Sequence, residues 1–359
     1  MNSHYDGTMS ALLEVRDLTI ELPTERGWVR PVNGVSFELA EGETLGVVGE
    51  SGSGKTMLAL ALMGLEPPGA RRSGNALLRA RGAASNNGNA AANLSGANDT
   101  IDLLAIPGRE MRALRGRDIA MIFQEPMTAL NPVMRIGAQI EEAIRVHEPK
   151  CSREEARRRA IDALARAAVP EPQLRASQYP HQLSGGLRQR ALIAMALSAG
   201  PRLLIADEPT TALDVTVQKQ ILELLVRLQR ELGLAMIFIT HDLGVVAQVA
   251  QRVAVMYAGR IVEEGPTRDV LRAPRHPYTA GLLRAALRIE RGTLHPIPGT
   301  VPALDALPPG CAFAPRCEWR RAECEAAVPE LRAASPAHRA RCVLVAAQTE
   351  AVGAHSGTP

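Results

Sequence analysis

Long apolar runs are missing from this sequence of 359 residues. The uninterrupted stretch 57–63 falls far short of the ~20 residues a membrane-spanning helix needs. A strong charge of either sign is missing too. A net charge of +3 leaves no electrostatic case for nucleic acid as a partner. The opening MNSHYDGTMS has no basic segment followed by an apolar one, so no secretion leader is expected and the chain is expected in the cytosol. There is no heptad run. Cysteine is scarce, at five residues, and in a cytosolic chain these read as thiols or metal ligands, not disulfides. Cys151 stands alone, whereas Cys311, Cys317, Cys324 and Cys342 gather near the C-terminus. What is present, 46% hydrophobic and 22% charged residues, is the composition of a soluble globular protein, long enough for two or three domains.

One stretch organises the rest. Residues 43–56 read ETLGVVGESGSGKT. Leu45, Val47 and Val48 make a short buried-strand pattern, and an apolar helical pattern follows from 57 to 65. Between them Gly49, Glu50, Ser51, Gly52, Ser53, Gly54, Lys55 and Thr56 fit G-x-x-x-x-G-K-[ST] at every fixed position. Small residues let backbone N–H groups wrap phosphate oxygens, and the helix start adds positive potential. Lys55 can reach the outer phosphates, and the Thr56 hydroxyl suits Mg²⁺. The alternative, a plain glycine turn, leaves the Lys-Thr pair unexplained.

The pattern along the chain predicts an α/β fold. Strands are expected at 12–22 and 35–39, with 23–31 as the turn that carries Trp28; an exposed Trp there either stacks on an adenine ring or covers the sheet edge. Residues 81–100, rich in Asn, Ala and Gly, read as a flexible surface insertion. Residues 117–123 form a strand candidate that ends at Gln124. Helices are expected at 136–146 and from a capping box of Ser152 and Glu155 to 168, within a helical subdomain of about 125–200. Buried strands at 203–206 and 235–239 flank a helix at 217–232. Strands at 252–257 and 260–263 close the nucleotide-binding region near 265. A small C-terminal domain at 266–347 and a disordered tail at 348–359 follow.

Hydrolysing a nucleotide needs a carboxylate for Mg²⁺, a group that orients water, and charge at the γ-phosphate. Asp207 ends a hydrophobic strand, where a Mg²⁺-facing carboxylate belongs, and Glu208 behind it can polarise the attacking water. Gln124 can touch Mg²⁺ or that water, and His241 can hold the γ-phosphate. All four fall at expected strand C-termini, where ligands of open α/β sheets gather.

LSGGLRQR at 183–190 resembles the signature sequence of the ATP-binding cassette (ABC) ATPases. LLIADEPTTALD, IFQEP and ITHDL resemble their Walker B with D-loop, Q-loop and switch histidine, in the family's order. The resemblance implies a RecA-like P-loop core with an antiparallel β subdomain and a helical subdomain. It implies ATP and Mg²⁺ as ligands, with Thr56, Gln124 and Asp207 at the metal. It also implies a head-to-tail dimer, with ATP between Lys55 of one subunit and the helix start Ser184, Gly185 and Gly186 of the other, Asp214 contributing from the D-loop.

GESGSGKT, MIFQEPMTALNPV, YPHQLSGGLRQR and ADEPTTALDVT are together similar to the ATPases of the dipeptide/oligopeptide importers, a family that includes nickel and glutathione importers. So are HPYTAGLL at 276–283 and CAFAPRC at 311–317. The spacing C-x5-C-x6-C-x17-C lacks the C-x2-C pairs common at zinc. Four thiolates suit an iron–sulfur cluster, and the resemblance implies a [4Fe–4S] cluster at Cys311, Cys317, Cys324 and Cys342, with zinc or unligated thiols as alternatives. It further implies two permease subunits, a sister ATPase or a second copy of this chain, an extracytoplasmic substrate-binding protein, and a peripheral place on the cytoplasmic face of the inner membrane, with 127–133 touching the permease. Two departures stand out. Leu187 replaces the subfamily's usual Met, and Leu22 occupies one position where an adenine-stacking aromatic is common. A soluble ABC ATPase acting on ribosomes or DNA, and an exporter ATPase, are the other readings.

Overall fold

Thr44–Val48 is buried at all five positions, which is why Leu45, Val47 and Val48 are apolar on both faces and show no alternation. Its partner is the parallel strand Arg252–Tyr257, in register from Leu45 against Arg252 to Val48 against Val255. Burying Val47 and Val48 contributes about 1.5–3 kcal/mol each. The computed structural model describes residues 11–81, 100–211, 213–289 and 297–345. These fall into two units.

The first unit holds the described residues within Met1–Arg16, Phe37–Glu43 and Asn75–Met236. Its parallel pair is Ile119–Ile122 with Leu203–Asp207, and Thr100–Asp102 runs antiparallel to the end of Arg71–Arg79. Its helices include Ile136–His147, Arg153–Arg166, Pro172–Ala176, Gly185–Leu197 and Val215–Leu232. The last buries Ile221, Leu224, Leu225 and Leu228, the stripe expected from their spacing, and stops at Gly233, φ 64°. Ser152 accepts from Glu155 N as expected, but the Glu155 carboxylate is turned to Arg158. Arg81 marks the near end of the expected insertion. It donates to Asp118 Oδ1 (2.7 Å), Arg117 O and Gly200 O. At the other end Thr100 already belongs to a strand, and residues 82–99 lie outside the described residues, as does the expected tail at 348–359.

The second unit holds the described residues within Asp17–Ser36, Thr44–Gly74 and Ile237–Pro359. Its strands run in the order Arg332–Ser335, His338–Ala340, Arg260–Pro266, Arg252–Tyr257, Thr44–Val48 and then Ala235–Thr240. The sheet therefore continues across the expected boundary near 265. Glu263 and Glu264 pair antiparallel with Ala340 and Arg339, so the late strand covers an edge that would otherwise offer open N–H and C=O groups. Phe313 shares one core with Val48, Val255, Tyr257 and Tyr278. The expected turn at 23–31 is also shorter. Ala11–Thr24 and Gly27–Ala40 continue as strands to a two-residue turn, closed by Thr24 Oγ1 on Gly27 O and by the Arg30–Glu21 ion pair. Trp28 thus sits in a strand, with the Arg71 guanidinium 3.8 Å over its ring.

Glu263 is fully buried, and its carboxylate gathers Arg275 N (2.6 Å), His276 N (2.9 Å) and His338 Nε2 (2.7 Å). His276 is buried as well, and burial drives its pKa down to about 4 against the opposing pull of Glu263. The unfolded chain protonates this imidazole near pH 6.5 while the folded chain resists until about 4. The unfolded state thus binds more protons in that window, and stability falls as pH drops through it, by an order of about 3 kcal/mol in total. Urea midpoints measured from pH 7 to 4 should decline more steeply in the native chain than in His276→Gln; equal slopes would remove His276 as the cause.

Candidate functional site

In the second unit, helix Lys55–Leu62 begins at Gly54, with no side-chain cap and no acid in its first turn. Its first N–H groups are thus left to a ligand, at the end where the helix field favours an anion. Gly54 has φ 102°, and a Cβ there would lie 2.0 Å from Pro31 O, so only glycine fits. The Lys55 side chain folds back over the loop, its ammonium donating to Gly49 O (2.8 Å) and Glu50 O (3.0 Å). Ser53 N donates to Glu50 O (3.2 Å), and the buried Ser53 Oγ has no hydrogen-bond partner. Ser51, Gly52 and Thr56 are exposed. His241 follows Ala235–Thr240 directly and is exposed. Next to it Asp242 N donates to Thr240 Oγ1 and the Asp242 carboxylate caps helix Leu243–Val249, which fixes the backbone on both sides of the imidazole.

In the first unit, Asp207 closes Leu203–Asp207 at 1% exposure. A carboxylate at that depth is stable only with compensating charge or donors, which suits a cation ligand. Glu208, more open, has φ 45°, a left-handed conformation that costs a non-glycine residue about 1 kcal/mol or more. Its Oε2 accepts from Thr211 Oγ1 at 2.9 Å. Gln124 is exposed two residues beyond Ile119–Ile122. Ser184 caps Gly185–Leu197, accepting from Leu187 N at 3.4 Å. A Cβ on Gly186 would come within 2.7 Å of Val217 Cγ1, so glycine there lets the two helix starts approach. Asp214 carries out a structural task the motif alone did not reveal: its Oδ1 accepts from Val217 N at 2.9 Å and caps Val215–Leu232.

Two further residues touch the phosphate loop and a third backs them, and none was singled out from sequence. The Tyr278 hydroxyl accepts from Glu50 N (2.8 Å), and Arg316 grips the Glu50 carboxylate with both terminal nitrogens, 2.7 and 3.0 Å. Tyr257 stands behind both: its hydroxyl is 3.3 Å from Arg316 Nη1 and its ring 4.6 Å from that of Tyr278. HPYTAGLL and CAFAPRC contain two of these residues, but no spacing rule connects them to the loop.

All five cysteines are free thiols. Cys342 lies within electrostatic reach of Cys311, Cys317 and Cys324, and burial pushes its thiol up to about 11. Cys311 N donates to Cys324 O (2.7 Å), tying two of the four together through the backbone. Among the described residues no three or more His, Cys, Asp or Glu side chains are grouped as metal ligands as they stand. Among the described residues no helix is long and apolar enough to cross a membrane.

Residues 32–211 match the family model "ABC transporter", and residues 262–324 match "Oligopeptide/dipeptide transporter, C-terminal region". A Brucella melitensis protein named for ATP binding in peptide import is 49% identical over 342 residues, 92% of this chain and 96% of that protein. The dipeptide transport ATP-binding protein DppD of Bacillus subtilis is 46% identical over 340 residues, 94% and 95% of the two chains. Among solved structures, the ATP-binding cassette MJ0796, a dimer in a post-hydrolysis state bound to ADP and Pi, aligns over 71% of this chain and 99% of its own, with 26% identity and a TM-score of 0.59.

Proposed function

This chain belongs to the ABC transporter family, alongside the ATP-binding proteins of peptide import, and on that premise we propose that it hydrolyses ATP to drive peptide uptake through permease subunits it does not contain. The observation that carries the reading is similarity over two regions of the chain, the cassette at 32–211 and the importer-type C-terminal region at 262–324. An exporter or ribosome-associated cassette would account for the first alone.

In this proposal Lys55 and the N–H groups of Gly49 to Thr56 hold the phosphates, and His241 steadies the γ-phosphate. Glu208 takes the water proton. Thr56, Gln124 and Asp207 offer a hydroxyl, an amide and a carboxylate oxygen, a hard donor set that fits Mg²⁺. When bound, that ion neutralises charge on the phosphate oxygens. Ser184, Gly185, Gly186 and Asp214 of a second cassette complete the nucleotide site, the partner being a sister ATPase or another copy of this chain. The dimeric relative MJ0796 supports that arrangement. Residues 127–133 face the permease, on the cytoplasmic side of the membrane; Val133 is 79% exposed, as a coupling surface requires. Cargo is delivered by an extracytoplasmic binding protein, and the names of the relatives favour dipeptides and oligopeptides over nickel or glutathione.

Cys311, Cys317, Cys324 and Cys342 suit an iron–sulfur cluster by donor chemistry alone, being four free thiols, two of them tied by the Cys311–Cys324 backbone bond. Such a cluster would cross-link the segment that carries Phe313 and Arg316. Anaerobic purification with iron and sulfide analysis tests it, with four of each per chain expected; stoichiometric zinc would replace it by a zinc site. The transport reading is tested by labelled dipeptide uptake in a strain lacking this chain and by co-purification of membrane subunits. Undiminished uptake and a chain that isolates without membrane partners would overturn it.

A further inference from the structure

Glu50 is an odd residue to find in a phosphate cradle. Its carboxylate stands in the loop that is to receive a polyanion, five residues before Lys55. Left bare, it would repel the phosphates by Coulomb interaction at short range. In this chain it is answered by Arg316 at 2.7 and 3.0 Å, a two-pronged pair in which the arginine side chain is only 4% exposed. The guanidinium is fully engaged elsewhere too. Its Nε donates to Pro298 O (2.8 Å), and its other contacts are Tyr257 Oη (3.3 Å) and Ile297 O (3.4 Å). Such a fork is built for one carboxylate orientation, with little freedom to turn away.

The grip reaches further than the charge. The Glu50 carbonyl accepts from both Lys55 Nζ and Ser53 N, and the Glu50 amide donates to Tyr278. Arg316 therefore holds, through one residue, the acceptor that aims the lysine and the turn from which the loop amides spread. Arg316 itself lies in the short turn Ala314–Arg316, between Cys311 and Cys317. That turn is anchored by Phe313, whose ring packs at 5.3 Å from Tyr257 and 5.4 Å from Tyr278.

We propose that Arg316 is a positioning residue for ATP binding: from the four-cysteine segment it neutralises and orients Glu50, and so couples the state of that segment to the phosphate loop. It rests on the reading of this chain as an ATP-binding cassette. The coupling is reciprocal, as linkage requires: whatever loosens the turn weakens nucleotide binding, and bound nucleotide stiffens the turn.

The test is a charge cycle on the full chain, with Mg·ATP affinity as the readout and a thermal melt to show that each variant is folded. Arg316→Gln leaves Glu50 bare, and ATP should bind about tenfold more weakly, the scale of a lost charge-assisted pair. Glu50→Gln removes the repelling group along with the tether and should cost less. The double variant should bind better than Arg316→Gln alone, a rescue that a merely structural arginine would not show. As a second readout, Mg·ATP should slow hydrogen exchange at 311–317 in the native chain and do so less in Glu50→Gln, a variant that keeps the C-terminal segment intact. Native-like affinity in Arg316→Gln, or a double variant worse than the single, overturns the proposal. A native chain that binds no ATP would instead overturn the cassette reading on which it stands.

Discussion

Glu208→Gln is expected to bind Mg·ATP as the native chain does and to hydrolyse almost none of it. The residue sits one position past a buried strand that ends in Asp207, on a left-handed backbone that turns it away from the strand direction. Glutamine keeps the size of the side chain and can still accept from Thr211 Oγ1, which is 2.9 Å from Oε2 in the native chain. What it loses is the ability to take a proton from water, and a positioned base contributes about 10²–10⁴-fold to such a step. With binding retained and the exit step blocked, the cassettes should accumulate in the ATP-bridged dimer, visible by sedimentation or light scattering in Mg·ATP and absent without nucleotide. Turnover within a few-fold of native would remove Glu208 from the role of base, whatever happens to the dimer.

For Lys55→Ala the failure is expected one step earlier. The ammonium is buried, and it holds Gly49 O and Glu50 O from inside the loop. Alanine removes the charge that meets the outer phosphates and takes the ammonium donor from Gly49 O and Glu50 O, the latter keeping only Ser53 N, so the cradle loses both attraction and shape. Affinity for ATP should drop by about two orders of magnitude, and no ATP-dependent dimer should form. A melt near native, read by circular dichroism, separates this from unfolding, since strand Thr44–Val48 and helix Lys55–Leu62 keep their apolar contacts. Binding within threefold of native would show that backbone N–H groups, not the lysine, carry the affinity. The two variants divide the cycle: one should stall with nucleotide bound, the other should not start.

How legible the site is in sequence depends on how local each element is. The phosphate loop, the carboxylate pair and the signature helix start are each encoded in a dozen contiguous residues, and the strand-loop-helix order around them follows from apolar runs and glycines. Their expected place at strand ends is the observed one: Asp207 ends a strand, Glu208 and His241 come next, and Gln124 lies two residues beyond. The differences fall where a local pattern is weak. Pro and Gly around Trp28 suggest a long turn, but the hairpin needs two residues and the strands run on. A composition shift after 266 suggests a separate small domain, but Phe313 and strand His338–Ala340 complete a core and an edge that begin much earlier in the chain.

By itself, then, the sequence determined which chemistry this protein carries, because phosphate binding and helix capping act over a few residues and leave contiguous marks. Only the tertiary structure decided what stands behind the loop. Tyr278 and Arg316 reach Glu50 from 228 and 266 residues away, and Glu263 collects His338 across 75. Such contacts are set by how strands order and cores close, and no periodicity or motif spacing records a pairing made over that distance.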